Sequence, residues 1–140
     1  LIVPHCTYTD PEVASVGETP QALASAGVAF DTFAFDLNEL DRSRADPKVK
    51  HGVTQHAEVY TQKGSDTILG ATIIGSDAGE LLAPLCVMMS NGLGLSAAQK
   101  TVFSYPTRSE YLKRLGDAYN RSRMTPTVAK LFRWWLGTTL

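Results

Sequence analysis

The sequence is poor in the features that announce chemistry by themselves. Its two cysteines, Cys6 and Cys86, form no CxxC or CxxxxC pair, so no local dithiol can cycle and both read as buried apolar thiols. The three histidines contain no HExxH, and His51 and His56 fall on opposite faces of any strand they share, which argues against a metal site. GxxxxGK[ST] and GxSxG are absent. Gly92-Leu93-Gly94-Leu95-Ser96-Ala97 satisfies GxGxxA in letters only. That fingerprint needs a strand before it, so that a helix N-terminus faces a pyrophosphate. Here an apolar helical pattern precedes it, and the glycines read as a helix stop. No apolar run reaches 18 residues and no basic segment with a long apolar core opens the chain. A cytoplasmic protein with no membrane partner is the expectation, and the Asn120-Arg121-Ser122 sequon is then chance. Thirteen basic and fourteen acidic side chains leave a net charge of -1, which supplies no field to draw in nucleic acid.

What is present suits a single globular domain. The chain has 140 residues, 44% of them hydrophobic and 19% charged, enough to bury about two-thirds of the extended surface in one core. It opens on Leu1-Ile2-Val3-Pro4 without a methionine, so the expectation is a piece of a longer polypeptide. His5 to Thr9 and Glu12 to Gly17 read as a strand interrupted by Asp10-Pro11. Thr19 and Pro20 open a short helix that Gly27 stops, and Val28 to Phe35 alternates as a strand. The charges from Asp36 to Asp46 mark residues Leu37 to Pro47 as a solvated connection. His51 to Thr61 and Thr67 to Ile74 flank a five-residue polar loop containing Gly64, an antiparallel hairpin signature.

Helices dominate the remainder. Asp77 with Glu80 reads as a capping box before Leu81, Leu82, Leu85, Cys86, Met88, Met89 and Leu93. The apolar positions there fill more than one stripe, which implies burial on two sides. Pro84 falls early enough in that helix to be tolerated. Ser96 to Lys100 adds one turn, and Thr107 with Glu110 reads as a second capping box, before a helix whose Leu112, Leu115 and Tyr119 share a face. Thr125-Pro126 opens a last amphipathic helix through Leu136. Residues 1–123 thus read as the domain and 124–140 as a helix packed on it. The order predicts an α+β fold, an antiparallel sheet covered on one side by helices.

One segment carries competing readings. Tyr105-Pro106-Thr107-Arg108-Ser109-Glu110 is explained structurally by a proline stop and a capped helix. The same residues place a phenol and a carboxylate at a proline-fixed bend beside a helix N-terminus, where an anion or a flavin edge can be met.

Several motifs in order then form a pattern. Tyr8-Thr9-Asp10-Pro11-Glu12-Val13-Ala14-Ser15-Val16-Gly17, Asp41-Arg42-Ser43-Arg44-Ala45, Ile68 to Gly75 with Ala78-Gly79-Glu80-Leu81, and Tyr105 to Glu110 resemble the C-terminal dimerisation domain of class I pyridine nucleotide-disulfide oxidoreductases. The resemblance spans roughly residues 3 to 121. It implies an FAD/NAD-linked reductase dimerisation-domain fold, a homodimer, and FAD and NAD(P)H bound by upstream domains of the same polypeptide. The chain alone is then expected to bind neither cofactor and to be inactive. It further implies that Tyr105 and Pro106 meet the flavin of the partner subunit, that the peptide before Pro106 is cis, and that Tyr105 and Glu110 form the catalytic pair. Tyr105 stands where thiol-handling members keep a histidine base, and a phenol titrating at about 10 is a poor base at neutral pH. In this it is similar to the mercuric reductases and soluble transhydrogenases of the family. The vicinal cysteines that mercuric reductases carry at the C-terminus are missing from Leu136-Gly137-Thr138-Thr139-Leu140. The alternative is a free-standing homodimeric interaction module without redox activity.

Overall fold

A computed structural model describes residues 1–47, 49 and 52–124. The described residues form strands β1 (Pro4–Thr7), β2 (Glu12–Gly17), β3 (Phe30–Asp36), β4 (His56–Gln62) and β5 (Ile68–Gly75). These make one sheet in the order β1-β2-β5-β4-β3, with every neighbouring pair antiparallel. The helices are α1 (Pro20–Ser25), α2 (Asp41–Ala45), α3 (Ala78–Ser90), α4 (Leu95–Lys100) and α5 (Glu110–Ser122). The α+β expectation holds, as does the β4–β5 hairpin. The helix expected from Thr125 onward lies outside the described residues, as does the first residue of the strand expected from His51.

The register explains which face is covered. Pro4, Val16, Ala71, Val59 and Phe33 line up across the five strands, and Cys6, Ala14, Ile73, Ala57 and Phe35 form the next row. Because side chains alternate along a strand, both rows point to the same side. There α3 lies over β1, β2 and β5, and α5 lies over β3, with the Tyr119 ring edge-on to Phe33 at 5.5 Å. Ala14, Ala57, Val59, Ile73, Leu85, Leu112 and Leu115 are all buried in that layer.

The helix starts differ from the local signatures. Thr19 caps α1 as expected, accepting from the Ala22 amide at 3.2 Å. Asp77 does not cap α3, because its backbone is left-handed, with φ 53°. Instead Glu12 Oε2, from β2, accepts from the Gly79 amide at 3.2 Å, a carboxylate supplied from a distant strand to the positive end of the helix. Thr107 and Glu110 form no capping box either. The Thr107 hydroxyl donates to the Ser104 carbonyl at 2.7 Å, and α5 begins through a tight turn without a side-chain cap.

Residues Leu37 to Pro47 depart furthest from expectation. They are not a solvated connection but a 3₁₀ turn, Leu37–Glu39, followed by α2, with Leu37, Leu40 and Ser43 buried. The charges that suggested a loop lie on the outward side of two anchoring leucines. Buried Gln55 pins this segment: its amide donates to Asn38 Oδ1 at 3.3 Å, its Oε1 accepts from the Ser76 amide at 3.1 Å, and its carbonyl accepts from the Leu37 amide at 2.9 Å. Elsewhere α4 and α5 touch backbone to backbone. A Cβ on Gly116 would stand 2.6 Å from the Gln99 nitrogen.

Gln55→Ala is expected to leave the Ser76 amide unsatisfied and to cost about 1–3 kcal/mol in urea unfolding. Gly116→Ala raises intrinsic helix propensity by about 1 kcal/mol but forces α4 away, and is expected to lower the urea midpoint, with a net loss of about 1–3 kcal/mol.

Candidate functional site

The bend before α5 brings the sequence-predicted residues together at one end of the sheet. The Tyr105-Pro106 peptide is cis, as the resemblance implies. The Tyr105 side chain is 69% exposed, so its ring is presented outward. The bend is held from two directions.

The first hold is Arg108, whose side chain is only 11% exposed. Its Nη1 donates to Asp77 Oδ2 at 2.6 Å, and its Nη2 donates to the Ser76 carbonyl. Nε is buried without a partner among the described residues. The left-handed backbone at Asp77 thus aims its carboxylate at the guanidinium rather than at the α3 amides. Ser76 is bonded on its other side by Gln55. The turn between β5 and α3 therefore ties the bend to the segment that carries α2.

The second hold is Asp41, the first residue of α2, whose Oδ2 accepts a hydrogen bond from the Tyr105 phenol. The accepted bond and the carboxylate's charge push the phenol above its ordinary range. Glu110 adds to this and Arg114 opposes it. Glu110 does not pair with Tyr105: its Oε1 accepts from Arg114 Nη2 at 2.5 Å, one turn along α5. The structure thus gathers Tyr105, Pro106 and Glu110 at one bend but directs the phenol to a carboxylate that sequence reasoning left in a loop. In the sequence Asp41 stood in a charged stretch and in the Asp41 to Ala45 motif of the resemblance, but nothing there paired it with Tyr105.

A separate open cleft of about 430 Å³ lies between β1 and the start of α3, lined by His5, Cys6, Tyr8, Glu12 and Glu80 among others. There the Tyr8 phenol is pushed up by the neighbouring Cys6 thiol, and Glu12 is already engaged with the Gly79 amide. Among the described residues no group of three His, Cys, Asp or Glu is placed to hold a metal ion.

Comparison with known proteins matches this geometry to a family. Residues 3–115 match the model of the pyridine nucleotide-disulphide oxidoreductase dimerisation domain. Dihydrolipoyl dehydrogenase of Trypanosoma brucei brucei is 38% identical over 112 residues, covering 80% of this chain and 22% of the relative. The mitochondrial enzyme of Dictyostelium discoideum is 34% identical over 120 residues, 85% of this chain and 24% of that one. Among solved structures, LpdA from Mycobacterium tuberculosis superposes with a TM-score of 0.73 at 19% identity, over 84% of this chain and 25% of its own. The HOCl-induced flavoprotein disulfide reductase RclA from Escherichia coli gives 0.73 at 21%, over 83% and 26%. At those identities the superpositions show the fold. The chain spans less than a quarter of the length of these two curated relatives. A sequence match over most of the chain, and a fold shared with flavoprotein disulfide reductases, establish that this chain belongs to the pyridine nucleotide-disulphide oxidoreductase dimerisation-domain family.

Proposed function

We propose that the chain is the dimerisation domain of an FAD-dependent NAD(P)H oxidoreductase, pairing with a second copy of itself and lending its Tyr105-Pro106 bend to the flavin site of the partner subunit. The observation that carries this reading is the bend itself: an exposed tyrosine ring at a cis-proline turn, clamped from two sides, in a domain of this family. Upstream domains of the same polypeptide would hold FAD and NAD(P)H. An aromatic ring fixed at its hydroxyl end fits contact with the edge of a flat ring system, and the bound flavin would supply the electron transfer between nicotinamide and acceptor. The chain's own part is position and electrostatics.

The two helices over the sheet support pairing. The side of α5 away from the sheet carries Lys113, Arg114, Asp117 and Arg121, as a solvated helix should. By contrast α3 holds one charged residue, Glu80, and its outer stripe exposes Ala83 and Val87, the latter at 60%. A helix apolar on both sides calls for a covering partner, and a dimerisation domain supplies one in its own copy. The phenol at position 105, pushed up rather than down, is no general base for thiols at neutral pH. This favours an acceptor other than a dithiol, in contrast to what the relatives' names state for them. The free-standing interaction module is disfavoured, because it leaves the family's bend without a task.

Sedimentation equilibrium of the chain is expected to give twice 15.2 kDa, and Val87→Asp to give a monomer with unchanged circular dichroism. A wild-type monomer overturns the pairing, while a dimer indifferent to Val87→Asp moves it to another face. In the polypeptide that carries this domain, Tyr105→Ala is expected to alter the flavin absorption envelope and to slow turnover about tenfold or more. An unchanged spectrum and rate would remove the bend from the flavin site.

A further inference from the structure

In a protein whose bend faces a flavin, the residue that fixes the exposed ring decides how that ring meets its neighbour. We infer that Asp41, and not Glu110, is the carboxylate that positions Tyr105, taking over a task that the resemblance assigns to the glutamate at the start of α5. The inference rests on the proposed function for its consequence at the flavin. The pairing itself stands on the geometry of this chain.

Four observations carry it. The Tyr105 phenol donates to Asp41 Oδ2 across a sequence separation of 64 residues, which no local turn requires. Glu110 is engaged elsewhere, its Oε1 taken by Arg114 Nη2 at 2.5 Å. Asp41 is itself steadied on α2, with Arg44 Nη1 at 3.8 Å from its Oδ1. Finally, the two segments that carry the pair are independently tied to one turn: Asn38 and Gln55 fasten the β3–β4 connection to the Ser76 amide, and Arg108 fastens the bend to the Ser76 carbonyl and to Asp77. An exposed hydrogen bond between two free side chains is worth little. Here both backbones are anchored to a common point, so much of the ordering entropy is already spent when the phenol finds its acceptor.

The charged groups that act on the phenol are Asp41 from α2 and Glu110 and Arg114 from α5, with Arg44 behind the far oxygen of Asp41. Asp41 acts in two ways. As an acceptor it directs the O–H bond toward α2 and so fixes the rotation of the ring about its long axis. As a carboxylate it disfavours the phenolate, keeping the ring neutral and donating across the working pH range. Tyr105 is then a neutral aromatic surface with its one polar atom turned toward its own subunit. Asp41 is a positioning residue, acting on a bound flavin only through the ring.

The test is a pH titration followed by ¹³C NMR on the chain with its five tyrosines labelled at Cζ, the Tyr105 signal being assigned by its loss in Tyr105→Phe. Asp41→Asn is expected to move the Tyr105 titration down toward the ordinary tyrosine range, Asp41→Glu to restore most of the wild-type curve, and Glu110→Gln to move it less than Asp41→Asn does. A larger movement with Glu110→Gln, or none with Asp41→Asn, overturns the assignment. Asp41 is exposed and its side chain serves no core contact, and the amide spectrum of Asp41→Asn reports whether the fold persists. Should that variant not fold, restoration of the upward-displaced curve in Asp41→Glu, set against Asp41→Ser, decides the point in the same way. The flavin arm is separate: in the full polypeptide Asp41→Asn is expected to alter the flavin absorption envelope. A moved Tyr105 titration with an unchanged flavin spectrum upholds the pairing and overturns the placement of the bend at the flavin.

Discussion

The backbone of Ser76 is hydrogen-bonded on both sides, its N–H donating to the Gln55 side chain and its carbonyl accepting from Arg108. Those two bonds join three stretches of chain that are far apart in sequence: the β3–β4 connection, the turn into α3 and the bend before α5. The left-handed residue that follows, Asp77, completes the junction by presenting its carboxylate to the same guanidinium. A non-glycine residue in that conformation is uncommon and is kept where the surroundings hold it. In this fold the junction fixes where Tyr105 and Asp41 stand, and so determines whether the exposed ring has a defined direction at all.

Much of the architecture was legible in the sequence because it follows from periodicity and punctuation. The two β-runs and the polar loop between them predicted the hairpin, and Thr19-Pro20 predicted how α1 begins. The motif order predicted the family, and with it the bend that the structure then showed at Tyr105-Pro106. What escaped was every feature made by partners remote in sequence. The Glu12 carboxylate at the α3 N-terminus takes the place that a local rule gave to Asp77, while the buried Gln55 and the Arg108 clamp hold the Ser76 backbone, which no local rule addressed. A capping signature records that a residue is able to cap. A longer-range partner with a better geometry takes it when the tertiary fold offers one. Leu37 and Leu40 were missed for a different reason: two apolar residues in a short charged stretch give too few repeats for any period to register.

The exchange of partners at the bend also separates two roles that a histidine would combine. An imidazole can both orient and carry a proton near neutral pH. A phenol held by a carboxylate orients without exchanging a proton in that range. The neighbouring glutamate, balanced by Arg114 within its own helix, is left to local helix electrostatics. On the function proposed above, the bend offers shape and polarity rather than acid–base turnover.

The strand order has a consequence for how the chain comes to be folded. The central strand β5 (Ile68–Gly75) pairs on one side with its own hairpin neighbour and on the other with β2 (Glu12–Gly17). The β1–β2 ribbon is therefore complete long before its docking edge exists. Emerging from a ribosome, it must wait for more than fifty further residues with Val13, Ala14 and Val16 bonded on one side only. Ribbons left in that condition are slow to dock and open to pairing with the wrong strand. The same late strand leads into Ser76, so the junction that holds the Tyr105 bend cannot form before β5 has been made.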